Sequence, residues 1–114
     1  MAAYVPERGD IVWMQFNPQV GREQAGMRPA LVLSPKAYNQ KTSLMLCCPI
    51  TSQVKGYPFE VLVQTKSVSG AILSNQVKSL DWKARYAKKK GTVSVEIIDE
   101  VISKIDALLK GAAK

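Results

Sequence analysis

The sequence predicts a mainly β domain (α+β by class), a small barrel of short strands followed by one α-helix. Three observations carry that expectation. Apolar runs recur at roughly ten-residue spacing between Gly, Pro, Asn and Ser signals, which suits an antiparallel barrel better than parallel βαβ units. A sustained helical period is clearest at the end, where Ile98, Val101, Ile102, Ile105, Leu108 and Leu109 share a face. The length of 114 residues suits a single unit (residues 1–114) with a modest core.

Taken in order, Asp10 to Phe16 begins after Gly9, is apolar on both faces and ends at Asn17-Pro18, as a strand would. Residues 17–28 form a loop rich in glycine and charge. Pro29 to Ser34 is short and continuously apolar, the pattern of a central strand. Pro35 to Thr42 is polar, with room for a helical turn. Leu44 to Ile50 is a third strand, and a polar loop around Gly56 leads to a half-buried strand from Pro58 to Val63. Two short strands, Ala71–Leu73 and Gln76–Asp81, flank Ser74-Asn75, and Trp82 to Lys90 reads as a turn plus a basic loop. In the last element Ser94 is the expected N-cap, Glu96 favours the positive end of the helix dipole, and Gly111 is the expected stop. The whole describes an SH3-like barrel with a C-terminal helix.

Composition narrows the function. The two cysteines, Cys47 and Cys48, are adjacent in an apolar strand and would point to opposite faces. They read as free, partly buried thiols of a reducing compartment rather than as a disulfide or metal site. The N-terminus lacks a signal-peptide pattern and no run is long enough to span a bilayer, so the expected location is cytoplasmic, with no membrane association. The net charge is +7, and residues 61–90 supply most of it, with seven basic side chains against one acidic. Such a middle segment favours a polyanion.

The chain contains no histidine. A two-imidazole ribonuclease, a Ser-His-Asp triad, a Cys-His dyad and a His-bearing zinc site are thereby excluded. Nine scattered carboxylates give no support to a two-metal nuclease. There is no P-loop and no dinucleotide-binding glycine pattern. No cofactor or metal is expected, and any hydrolytic chemistry must use Arg, Lys, Glu, Thr, Ser or Gln.

Two loops supply those types. Glu23, Gln24 and Arg28 lie around a glycine turn, and Pro29 sets the trajectory on which Arg28 leaves it. Thr51, Ser52, Gln53 and Lys55 follow the third strand. If the second and third strands pair antiparallel, Arg28 and Thr51 reach the same sheet edge. There Arg28 would neutralise a pentacovalent phosphorane, Thr51 would donate a hydrogen bond and Glu23 would accept a proton. RNA brings its own nucleophile, the 2′-hydroxyl.

These residues resemble a known family. Glu23-Gln24-Ala25-Gly26 with Arg28-Pro29, Pro49-Ile50-Thr51-Ser52-Gln53, Lys55-Gly56-Tyr57-Pro58-Phe59-Glu60 and Gln76-Val77-Lys78-Ser79 are similar to the MazF/PemK toxins of bacterial toxin–antitoxin systems. The similarity runs in order from about Tyr4 to Leu109. It implies a PemK/CcdB-like barrel and a homodimer that cleaves single-stranded mRNA at specific sequences without metal, leaving 2′,3′-cyclic phosphate and 5′-hydroxyl ends. It also implies inhibition by a cognate antitoxin, expected to bring an acidic segment. Position by position it makes Arg28 and Thr51 catalytic, with Glu23 in support. Gln24, Asn39, Lys55, Gln76 and Lys78 fall where the family lines its RNA groove. Met27 departs from relatives that carry histidine there.

Lys55 and Lys78 would contact phosphate, while Gln24, Gln76 and Asn39 would read base edges. Trp13 is expected in the core. Trp82 is the better stacking candidate, though more readily structural, and Tyr57 is expected to fix its loop. The alternative function is a non-catalytic toxin of the same fold that inhibits DNA gyrase by protein contact. It is disfavoured because the chain ends Lys110-Gly111-Ala112-Ala113-Lys114, without the aromatic, apolar anchor of such proteins.

Overall fold

The computed structural model describes residues 3–16 and 26–111. It contains strands β1 (Asp10–Gln15), β2 (Met27–Val32), β3 (Leu44–Thr51), β4 (Glu60–Gln64), β5 (Ser69–Leu73), β6 (Lys78–Asp81) and β7 (Lys88–Thr92). Helix α1 (Lys36–Thr42) lies between β2 and β3, and helix α2 (Val95–Lys110) follows β7. The strands run β4-β5-β3-β2-β1-β7, with β6 also paired to β3, and every pairing is antiparallel. The result is a half-barrel with β4 and β7 at its edges.

β3 is the keel. Its first half pairs with β6, from Leu44↔Asp81 to Cys47↔Lys78, and its last residues pair with β5 through Ile50↔Ile72 and Thr51↔Ala71. The register shifts by three residues between these ladders, and the 3-10 turn Ser74–Gln76 takes up those residues. Pro49 sits opposite this break. Leu33 N donates to Leu46 O at 2.8 Å, so alternation aims the Pro49 nitrogen away from β2 toward the interrupted edge. A central proline therefore costs no ladder bond there.

Alternation along the strands separates two cores. One face buries Ile11, Leu31, Cys48, Ile50, Val61, Ile72 and, from α2, Val101. The other buries Val12, Met14, Ala30, Val32, Met45, Cys47, Phe16 and Trp82. The two cysteines are free, buried and on opposite faces, and burial pushes both thiols up to about 12. Helix α2 is capped as its sequence implies: Ser94 Oγ accepts from Ile97 N at 3.4 Å, and Gly111 adopts φ +60°. Its apolar stripe is only partly covered, since Ile98 and Val101 are buried whereas Ile102, Leu108 and Leu109 are exposed. No helix among the described residues is long and apolar enough to cross a membrane.

Three expectations need correction. Lys88–Thr92 is a strand, paired with β1 from Asp10↔Thr92 to Trp13↔Lys88, where the sequence suggested a basic loop. Its lysines carry no apolar alternation because it is an edge, and edge lysines deter unwanted strand pairing. Arg28 lies within β2, opposite Met14, not in a solvent-facing loop. Trp13 is only partly buried and lines a cavity instead of filling the core.

Candidate active site

The site is built by the register of β2 against β3. The paired residues are Ala30↔Pro49, Leu31↔Cys48 and Val32↔Cys47. The pairing ends at Ala30↔Pro49; continued two residues further, the same register would set Arg28 opposite Thr51, on the face that Ala30 and Pro49 share. Like Ala30 and Pro49, they would form a non-hydrogen-bonded pair, the kind in which facing side chains stand closest. Lys78 on β6, paired with Cys47, occupies the same face, and its ammonium lies 5.9 Å from the centre of the Phe16 ring.

Thr51 is nearly buried, at 8% exposure. Its hydroxyl oxygen accepts a hydrogen bond from Gln53 N at 3.1 Å, which commits a lone pair and leaves the hydroxyl proton to donate elsewhere. Behind it, β5 comes so close that only glycine fits at position 70, where a Cβ would meet the Thr51 carbonyl. The backbone that carries the hydroxyl is therefore braced from two directions.

Thr51 opens into a cavity of about 550 Å³ shared with Gln53, Lys55, Tyr57, Phe59, Glu60, Leu73, Asn75 and Gln76. Three of the residues selected from sequence, Thr51, Lys55 and Gln76, thus meet in one place. Arg28 borders a different cavity, of about 370 Å³, with Trp13, Ile50, Ser52 and Lys90 among its walls and Thr51 not among them. Among the described residues, Glu60 is the carboxylate lining these cavities, and it accepts from Gly56 N at 2.9 Å and Lys55 N at 3.2 Å. The field along the rim is consequently cationic.

Asn39 does not belong to the site. It is fully buried: its Nδ2 donates to Pro6 O at 2.8 Å and Ser34 O at 3.0 Å, and its Oδ1 accepts from Ser34 Oγ at 2.6 Å. Its carbonyl also accepts from the Trp82 indole at 2.9 Å, and Trp82 is itself 6% exposed. Both side chains are structural, and neither presents an edge or ring to a base. Glu23 and Gln24 lie outside the described residues. Sequence reading missed Glu60 as the anchor of the Lys55 loop and Gly70 as the brace of Thr51. A carboxylate four residues beyond a turn glycine was the available signal for the first; the second required the sheet pairing.

The family of PemK-like, MazF-like toxins of type II toxin–antitoxin systems matches residues 7–109. The endoribonuclease toxin MazF of Escherichia coli (strain K12) is 50% identical over 109 residues, covering 96% of this chain and 98% of its own length. The crystal structure of MazF from Deinococcus radiodurans superposes with a TM-score of 0.91 at 49% identity, covering 95% of this chain and 99% of that one. A MazE–MazF crystal structure from the same organism gives 0.85 at 49% identity, with 95% and 98% coverage. Half-barrel, cationic rim and these likenesses define an endoribonuclease toxin. The chain belongs to the PemK-like, MazF-like toxin family of type II toxin–antitoxin systems.

Proposed function

We propose that this protein is a metal-independent, sequence-specific endoribonuclease that cuts single-stranded mRNA in the cytoplasm and so halts translation. The RNA 2′-oxygen attacks the adjacent phosphorus, the bond to the 5′-oxygen breaks, and the products end in a 2′,3′-cyclic phosphate and a 5′-hydroxyl. Arg28 neutralises the charge that builds on the equatorial oxygens, and the Thr51 hydroxyl donates to one of them. Glu23 is assigned the proton of the attacking hydroxyl, and the departing 5′-oxygen takes its proton from water. Lys55 and Lys78 hold flanking phosphates, while Gln24 and Gln76 read bases.

What supports this reading most is the antiparallel register of β2 and β3, which, if carried two residues past its last pair, Ala30↔Pro49, would bring Arg28 and Thr51 to one face. The Thr51 hydroxyl is also preset as a donor by Gln53 N. A site of this kind needs positioning and charge rather than an imidazole. We further assign a homodimer and an antitoxin whose acidic segment lies along the cationic rim. The relative crystallised as a MazE–MazF complex supports that partner.

The test is cleavage of a long RNA in EDTA by the wild type and by Arg28→Ala. Discrete fragments from the first and none from a folded second are expected; undiminished cleavage by the variant would defeat the assignment.

A further inference from the structure

The cavity that holds Thr51 has an aromatic end which phosphoryl transfer does not use. Tyr57 and Phe59 stack there, with ring centroids 5.3 Å apart and planes 27° from parallel, and both line the cavity. Tyr57 is nevertheless 50% exposed. The segment that presents it is fixed by other groups. Glu60 N donates to Tyr57 O at 3.0 Å, the Glu60 carboxylate takes the N–H groups of Lys55 and Gly56, and Lys104 Nζ donates to Pro58 O at 2.7 Å. The sequence suggested that Tyr57 fixes its loop; these bonds run through backbone and Glu60, so the ring is held without being the holder.

We propose that the Tyr57 ring, backed by Phe59, is a stacking platform for the nucleobase that flanks the scissile phosphate. The proposal rests on the endoribonuclease reading above and adds a substrate subsite to it. Bases of a single strand are unstacked and bind by lying on aromatic faces, whatever their identity. The surroundings suit a nucleotide. Lys55 supplies a cation for a phosphate, and the amides of Gln53, Asn75 and Gln76 border the same space as hydrogen-bond partners for a base edge. The volume of about 550 Å³ falls within the roughly 300–1,000 Å³ of ordinary small-ligand sites. Because Phe59 and the tethers fix the ring beforehand, little entropy is lost when a base settles on it.

The test uses an oligoribonucleotide spanning a mapped cut site, with a 2′-deoxy substitution at the nucleotide 5′ to the cut so that it binds without being cleaved. Affinity is measured by fluorescence anisotropy for the wild type, Tyr57→Phe and Tyr57→Leu, with Tyr57→Met replacing the last if it does not fold. Tyr57→Phe should bind like the wild type, and Tyr57→Leu should lose about 5- to 150-fold. A series of single abasic positions then locates the subsite. At one position beside the cut, removing the base should weaken the wild type but leave Tyr57→Leu unaffected. Equal affinities of wild type and Tyr57→Leu, or a loss that is the same at every abasic position, would overturn the platform. If the wild type cleaves RNA while these results fail, only the subsite falls; if it neither binds nor cleaves RNA, the endoribonuclease reading falls first.

Discussion

Gly70 on β5 lies against the Thr51 carbonyl so closely that an added methyl group would overlap it and stand 2.9 Å from the carbonyl carbon. The obstacle is backbone, not a flexible side chain, so relief must move one strand or the other. Gly70→Ala is therefore expected to destabilise the fold by about 1–3 kcal/mol, as overpacking does. A shift of Thr51 by about 1 Å should also cut turnover on the order of 10²-fold. Thermal melting together with single-turnover cleavage checks both effects; a variant with native turnover would show that Thr51 is not braced from behind.

Arg28 and Thr51 are expected to respond to shape as well as charge. Arg28→Lys keeps the cation but loses the planar fork, so its cleavage rate should fall well below the wild type's. Thr51→Val removes the hydroxyl at similar volume and should lower the rate by about 10²–10³, whereas Thr51→Ser should retain most of it. Rates measured at saturating RNA decide the matter. A Thr51→Val enzyme with wild-type turnover would remove the hydroxyl from the mechanism.

Lys55 and Lys78 are assigned to phosphates, and such contacts reveal themselves through salt. Each lysine replaced by alanine is expected to reduce the slope of log K against log salt by about 0.7, the single-strand value, without changing which sequences are cut. A changed cut pattern with an unchanged slope would assign the lysine to base reading instead.

Asn39→Ala is expected to act on stability and not on RNA. It leaves Pro6 O and Ser34 O without their donor, and the Ser34 hydroxyl, which keeps Leu46 N, without its acceptor, in a buried place. The loss should exceed about 2 kcal/mol. The fraction that remains folded should bind RNA like the wild type, and a selective loss of affinity would return Asn39 to the groove.

The buried thiols give a pH dependence. Cys47 and Cys48 have pKa values raised from 9.0 to about 12 by burial, so the folded state favours the neutral thiol. Their contribution to stability is complete below the ordinary thiol range and is lost as pH rises from about 9 toward 12. Tyr4, raised chiefly by burial and also by its hydrogen bond to Asp10, adds to the loss in the same direction. Denaturant midpoints should decline over that window, and replacing the two cysteines by alanine should flatten the decline.

How much of this was visible beforehand depends on what encodes each element. β1, β2 and β3 were legible because their apolar runs are buried on both faces of a central sheet, and α2 because its period, Ser94 and Gly111 agree. β7 was not, since Lys88-Lys89-Lys90 shows nothing of the backbone pairing to β1 that makes it a strand. The antiparallel pairing of β2 with β3, on which the proposed approach of Arg28 to Thr51 rests, could be argued from the short connection between the strands. Asn39 could not be placed, because a polar residue in a short helix looks the same whether it faces solvent or satisfies buried carbonyls. Trp13 misled for a related reason: β1 ends at a cavity, so its aromatic lines a wall rather than a core.

In the proposed reaction the substrate supplies the nucleophile, and Arg28 and Thr51 stabilise what it forms. The most direct measurement compares two RNAs of one sequence in EDTA, identical except for a 2′-deoxy nucleotide immediately 5′ to the cut, followed by analysis of the product ends. Cyclic phosphate and 5′-hydroxyl termini are expected from the all-ribose RNA, and no scission of the other at that site. Scission of the deoxy-substituted strand at the same bond would contradict this reaction.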